Sequence, residues 1–336
     1  MLSIGKLLAA LACASAFEAG LAQTGPSTIL EVQLENCVSY VGDVSDPSRF
    51  ASDPNRTPAP AGLRNFGTTL FLADIVSVNG RPAKGVAVIS LRTINLRASP
   101  TPGQAIADTV RNSISDYALE ILHTDGTPIG SIYASGLSGG AAPPGAPLAA
   151  AASSNAVLGG TGAFLGVRGQ LGGGPMPVPV RSASVTEDPL NRRIHGGGRF
   201  SILVHLIPLE RPEIVNTAMG PAIFHGDFSP VTAGKPARPG ELLIMSVSSL
   251  GPVTPNLDPG QPFPAYQDGN VHVVNSPVEV TVNGKSATVV NKIGWPRLKN
   301  IYRVDFVVPD DAGAGMATLG VSAAWIAGTE VRFAVR

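Results

Sequence analysis

The sequence predicts an all-β protein, and three observations lead to this prediction. Glycine and proline are abundant, with 39 and 30 copies among 336 residues. Charged residues make up only 14% of the chain, whereas hydrophobic residues make up 44%. This much glycine and proline disfavours helices. The chain nevertheless has enough hydrophobic residues to bury a hydrophobic core, which argues against disorder. Short apolar or alternating segments, broken by Gly, Pro, Asn and Asp, are typical of strands.

The N-terminus has the pattern of an export signal. Lys6 precedes an apolar run from Leu7 to Phe17, and Gly20 and Ala22 are small residues before a cleavage point at Gln23. The run is shorter than the ~20 apolar residues of a membrane-spanning helix, and no later stretch reaches that length. We expect residues 1–22 to be a signal peptide and the mature protein to be secreted, with no membrane span.

Charge and cysteine content exclude several kinds of partner and site. The formal net charge is zero and no basic run occurs, so we expect no nucleic-acid partner. Signal cleavage would leave only Cys37, which excludes an internal disulfide bond. The five histidines show no metal-ligand spacing, and we predict no metal site.

Residues 23–211 form the first predicted domain. Eight antiparallel strands suffice for a closed barrel, whose lumen is either filled by side chains or holds one small ligand. Asp125-Gly126 suits a type I′ hairpin turn between two of them. The predicted strands are 29–40, 66–78, 84–97, 113–123, 128–137, 155–158, 163–171 and 199–208.

Residues 212–336 form the second predicted domain. Prolines become frequent near Glu210, and a second series of short apolar segments follows them. About seven short strands in such a length fit a β-sandwich of immunoglobulin size. Asn283-Gly284 lies between two alternating runs and predicts a two-residue hairpin turn. The predicted strands are 222–228, 241–247, 277–282, 286–290, 301–308, 317–323 and 330–335.

Two motifs typical of hydrolases occur in an unsuitable context. Gly136-Leu-Ser-Gly-Gly140 matches a nucleophile elbow, and His195-Gly-Gly-Gly198 matches an oxyanion loop. An elbow requires a helix directly after its serine, but a proline-rich segment, 139–154, follows here. The oxyanion loop should also precede the elbow. We therefore do not predict a hydrolase.

The segment SNAVLGGTGAFLGVRGQ, residues 154–170, resembles the GGTG signature of plant dirigent proteins and their allene-oxide-cyclase-like relatives. Segments 66–74, 116–121 and 129–133 resemble other strands of that family in the same order, so the resemblance spans about residues 28–209. We expect the glycines of this GGTG segment where a strand bends at a barrel corner, because a Cβ atom would clash there.

The resemblance implies an eight-stranded antiparallel barrel, often trimeric, that needs no cofactor and holds a small apolar molecule in its lumen. Arg168 matches the arginine that orients or protonates the bound intermediate, and Glu35 lies near the position of a first acid. A second acid of the family is replaced by Ala163, which weakens the match to phenoxy coupling. Arg168 and Glu35 are thus the predicted catalytic residues. The predicted ligand-binding residues are Asp74, Tyr117 and Tyr133.

The second domain resembles the immunoglobulin-like, IPT/TIG-like modules at the C-termini of secreted bacterial proteins. The resemblance rests on segments 239–252, 259–264, 278–284 and 302–309, although Ser248 replaces a glycine of the family's turn. Such modules carry no catalytic residues. They space, display or bind, which implies carbohydrate or protein contacts for this domain.

Two functions from different classes follow. In the first, the barrel binds a small apolar molecule in its lumen and steers its cyclisation or coupling. In the second, the barrel is filled and the protein is a non-catalytic extracellular scaffold or adhesion protein. A packed lumen would favour the second function, and a lumen cavity of about 300 Å³ or more would favour the first. Whether the protein is an enzyme is left open by the sequence.

Overall fold

A computed structural model describes residues 28–41, 67–96, 111–138, 155–184, 186–258, 260–266 and 271–336. The predicted signal peptide and the proline-rich segment 139–154 lie outside these ranges, as does the segment 43–62, which is rich in Asp-Pro and other turn residues. The described chain is almost entirely β-structure, as predicted.

The described part of the first half contains ten strands and one short helix. The long strands alternate buried and more exposed residues, as expected for a sheet with one face on a core. The elements are β1 (Thr28–Val41), β2 (Gly67–Val78), β3 (Arg81–Pro82), β4 (Lys84–Leu96), β5 (Arg111–Leu122), β6 (Pro128–Ser138), β7 (Asn155–Gly162), β8 (Arg168–Gly173), β9 (Arg181–Ser184), α1 (Asn191–Ile194) and β10 (Gly198–Ile207).

Eight of these strands close an antiparallel barrel, which confirms the predicted fold. The order is β1-β2-β4-β5-β6-β7-β8-β10, and β10 pairs with β1 to complete the circle. A bulge in β1 shifts its register against both neighbouring strands, between Leu34 and Cys37 against β10 and between Glu35 and Val38 against β2. The short β9 pairs in parallel with the end of β1 and lies outside the circle.

Two local predictions in this half are wrong. Residues 163–167 form a turn instead of the start of a strand, because Phe164 N donates to Thr161 O and Val167 N donates to Phe164 O. At Asp125-Gly126 only the glycine has a positive φ, of 93°, so the turn is not type I′. Instead the Asp125 carboxylate accepts a hydrogen bond from Thr127 N, which stabilises a longer loop.

The second half is built on one curled sheet of eleven strands whose buried faces share a hydrophobic core. Asn283 and Gly284 both have positive φ, of 50° and 75°, and form the predicted hairpin turn. The strands are β11 (Glu213–Ile214), β12 (Asn216–Thr217), β13 (Gly220–Pro221), β14 (Ile223–Phe224), β15 (Leu242–Ser248), β16 (Val253–Thr254), β17 (Val273–Val274), β18 (Val278–Val282), β19 (Lys285–Gly294), β20 (Ile301–Val307), β21 (Gly315–Ala323), β22 (Ile326–Ala327) and β23 (Val331–Val335). Two of these, β12 and β13, form a separate two-stranded sheet.

The two halves share part of one hydrophobic core. Ala324 and Trp325, both with positive φ, connect β21 to β22. Ala324 and Ile326 are buried in the same cluster as the barrel's core residues, and Trp325 packs against that cluster. Near the hairpin that starts β6, Asn275 Nδ2 donates to Pro128 O over 3.2 Å. The turn at Ala324 therefore caps one end of the barrel.

Candidate functional site

Successive side chains of each barrel strand point alternately into the lumen and towards the outer face. On β5, Leu119 and Ile121 are buried in the barrel core, so Tyr117 faces the same way and packs against that core. The intervening Ala118 and Glu120 face outward. Among the predicted site residues, Tyr117 is the one that points into the lumen.

Arg168 lies on the outer face of the barrel. It is exposed, whereas Leu171 on the same strand is buried in the core. Its Nη1 donates to the carbonyl oxygens of Leu158 at 2.6 Å and Val167 at 3.0 Å. The guanidinium thus fastens the start of β8 to β7, and the Arg168 side chain is not available inside the lumen.

Glu35 and Asp74 are cross-strand neighbours on the outer face of β1 and β2. The Glu35 carboxylate lies 3.2 Å from Nε of Arg199, and both side chains are about half exposed. Asp74 has different partners and is almost completely buried. The structure therefore brings Glu35 and Asp74 together, but it places neither beside Arg168, which lies on β8.

Asp74 is buried under α1 and the residues around it. Its Oδ1 accepts hydrogen bonds from Nη2 of Arg192 and of Arg193, and its Oδ2 accepts from Nε of Arg193 and Nδ2 of Asn36. Burial alone would raise the pKa of Asp74, but the hydrogen bonds from Arg193, Asn36 and Arg192 lower it to about 2. The carboxylate is ionised at neutral pH and is fully engaged in holding α1 to the barrel.

The lumen itself is lined by apolar side chains that are buried and packed against one another. They come from every strand of the circle. The larger members are Leu30, Leu34, Ile75, Ile89, Leu119, Ile121, Ile132, Leu171, Ile202 and Leu206. Phe164, from the turn between β7 and β8, is fully buried in the same cluster.

One buried amide interrupts this apolar interior. Asn155 begins β7 and is two residues from Val157, whose side chain is in the lumen core, so Asn155 faces inward. It is completely buried, and neither its Oδ1 nor its Nδ2 has a hydrogen-bond partner among the described residues. An unpaired buried amide is costly, and such groups call for an explanation.

Cys37 is a packing residue in this structure. It is buried in the barrel core, and burial raises the pKa of its thiol to about 12. A thiol that stays protonated at neutral pH is a poor nucleophile. Within the described part of the chain no group of three or more His, Cys, Asp or Glu side chains is arranged to hold a metal ion, and no helix is long and apolar enough to cross a membrane.

Tyr133 lies on the outer face of β6 and is 46% exposed. It lines a groove of about 360 Å³ together with Glu120 on the adjacent strand. Sequence reasoning did not select Glu120 or Asn155. The alternation along β5 was enough to place Glu120 on the outer face of the barrel. No pattern in the sequence near Asn155 indicated that its buried amide would have no hydrogen-bond partner among the described residues.

The barrel therefore presents two candidate regions, the lumen around Asn155 and the outer groove beside Tyr133. Comparisons with protein-family models, curated proteins and solved structures found no match for this chain.

Proposed function

We propose that this protein is a non-catalytic, secreted scaffold or adhesion protein whose barrel is a filled and rigid support. The observation that carries the proposal is the packed apolar interior, in which side chains from all eight strands are buried together. The charged groups that a lumen reaction would need, Arg168 and Glu35, have partners on the outer face.

The second half supports the same function. Its curled sheet shares a core with the barrel through Ala324 and Ile326, so the two halves form a continuous support. An immunoglobulin-like module in this position would display a binding surface to a carbohydrate or a protein. Export rests on the signal-like N-terminus described above.

The test is to enlarge two small residues that face the lumen. Ala87→Leu and Ala134→Leu each add bulk to a buried position of the barrel core. In a filled lumen, overpacking should lower the free energy of unfolding by about 1–3 kcal/mol. The control is Ala156→Leu, at an exposed position of β7. Urea denaturation of the full chain measures the difference, and lumen variants as stable as the control would contradict the proposal.

A second candidate function is favoured by Asn155. Its unpaired amide could meet the one polar group of an otherwise apolar ligand held in the lumen, as the resemblance to dirigent proteins implies. Binding of such a ligand should be lost in Asn155→Leu, whose side chain branches at the same atom but carries no polar group. In a filled barrel neither the wild type nor the same variant should bind an apolar ligand in the lumen, so the substitution should change nothing in a binding measurement. Titration with the apolar probe N-phenyl-1-naphthylamine, followed by fluorescence, separates the two outcomes.

A further inference from the structure

The outer groove beside Tyr133 is a cavity that neither proposed function uses. It crosses strands β4, β5, β6 and β7 on the side of the barrel wall away from the lumen, and its volume is about 360 Å³. Sites for small organic molecules measure about 300–1,000 Å³. The groove is therefore large enough for a small molecule and is open to solvent.

The floor of the groove is apolar. Val88, Ala118 and Tyr133 are consecutive cross-strand neighbours on β4, β5 and β6, and they face outward because the core residues alternate with them. Val86 extends this floor by one outward position along β4. Leu122 and Pro128 line the groove near the hairpin that joins β5 to β6.

Glu120 is the only charged residue among the described residues that line the groove. Its cross-strand neighbours are Val86 and Ser131, neither of which carries charge. No described residue gives its carboxylate a hydrogen bond or an ion pair. By contrast, the Ser131 and Thr161 hydroxyls lie 2.5 Å apart and hydrogen-bond to each other. The groove thus offers one exposed negative charge, without a protein partner among the described residues, beside an apolar surface.

A carboxylate beside an apolar surface favours a ligand that combines a positive charge with an apolar part. The exposed ring of Tyr133 also lines the groove, and an aromatic face attracts an ammonium group. An inorganic metal ion would find one carboxylate and no other charged ligand. A neutral apolar molecule would have to cover the Glu120 carboxylate without compensating its charge.

We propose that the outer groove binds a small organic ammonium compound, with the ammonium at Glu120 and Tyr133 and the apolar part on Val86, Val88 and Ala118. The proposal is independent of whether the lumen is filled. It assigns a ligand-binding role to the wall of the barrel instead of its interior.

The experiment compares two ligands with the same skeleton. Phenethylammonium chloride carries the charge, and 2-phenylethanol replaces it with a neutral hydroxyl group. Titration of the full chain at pH 7, followed by NMR shifts of the Ala118 and Ser131 amides, should show saturable binding of the ammonium at least about tenfold tighter than of the alcohol. The preference should fall as salt is added, because an exposed charge pair is screened.

Glu120→Gln should abolish the preference for the ammonium while leaving weak binding of the alcohol. Glu31→Gln removes a carboxylate from β1, outside the groove, and should leave both affinities unchanged. Tyr133→Leu keeps the apolar contact but removes the aromatic face, and it should weaken ammonium binding alone. Circular dichroism confirms that each variant is folded.

Three outcomes would overturn the proposal. They are the absence of saturable shifts with the ammonium, equal affinities for the two ligands, and an unchanged preference in Glu120→Gln. Sedimentation adds a fourth. If the chain self-associates and Glu120→Gln prevents it, the groove is covered by a second copy and the small-molecule assignment is wrong.

Discussion

The carboxylate of Asp74 lies 2.7 Å from Nη2 of Arg192, a residue 118 positions later in the chain, and both side chains are buried. Arg193 and Asn36 complete the hydrogen bonding of the carboxylate. This cluster attaches the helical turn α1 to the outer wall formed by β1 and β2. It is the most deeply buried ion pair among the described residues.

Asp74→Asn should destabilise the protein by about 3 kcal/mol, because it leaves the buried guanidinium of Arg192 without its counter-ion. Asp116→Asn is the matched control on the same barrel wall. Asp116 pairs with Arg92 at 2.8 Å, but both side chains are about half exposed, so its removal should cost under about 1 kcal/mol. Urea denaturation at pH 7 measures both, and equal losses would contradict the buried-pair assignment.

Stability should also depend on Asp74 at acid pH. The pKa of its carboxyl is lowered to about 2 in the folded protein, so the folded state binds this proton less readily than the unfolded chain does. The Asp74 carboxylate therefore makes its full contribution to the free energy of unfolding above the ordinary carboxyl pKa near 4. This contribution is lost as the pH falls towards about 2.

Other carboxylates with lowered pKa values, including Glu187 and Glu241, contribute to the same acid transition. The informative quantity is therefore the difference between wild type and Asp74→Asn. That difference should shrink steadily from pH 5 to pH 2 in unfolding measurements. A constant difference across this range would show that Asp74 titrates normally.

Gly160 should not tolerate a side chain. A Cβ atom there would lie 2.5 Å from the carbonyl oxygens of Ser131 and Phe164. Gly160→Ala should therefore lower the free energy of unfolding by about 3 kcal/mol, since backbone must move.

The neighbouring Gly159 is its control. A Cβ atom at Gly159 would meet only the flexible end of Arg168, at 3.4 Å. Gly159→Ala should thus be nearly neutral, or slightly stabilising, because alanine restricts the unfolded chain. Thermal unfolding of both variants tests whether close packing, and not glycine content alone, explains this segment.

Ile326 should stabilise the barrel although it belongs to the second half of the chain. Ile326→Ala removes a buried side chain from the shared core and should cost about 2–5 kcal/mol. Val290→Ala, at a position that is 59% exposed, should change stability by under about 0.5 kcal/mol. Amide hydrogen exchange should accelerate in the barrel strands of Ile326→Ala, because their core residues share a cluster with Ile326. Unchanged protection in those strands would mean that the barrel is stabilised independently.

The longer strands of both halves could be predicted from local patterns, because alternation and the positions of Gly and Pro are properties of short segments. Short strands such as β9, β16 and β17 were not predicted. The prediction failed at residues 163–167, where hydrogen bonds within the turn override an apolar run that looked like a strand. Barrel closure also agreed with the prediction, since eight antiparallel strands without exposed edges are a stable solution for such a chain.

The sequence by itself determined the β class, the approximate bounds of the longer strands and the absence of excess charge. Only the tertiary structure decided which side chains face the lumen. A shift of one residue moves a side chain to the other face of a sheet, and the bulge in β1 and the turn before β8 set the faces on which Glu35 and Arg168 lie. The pairing of charged side chains is likewise decided by the fold, because Arg192 reaches Asp74 only when the barrel has closed and α1 has packed against its wall.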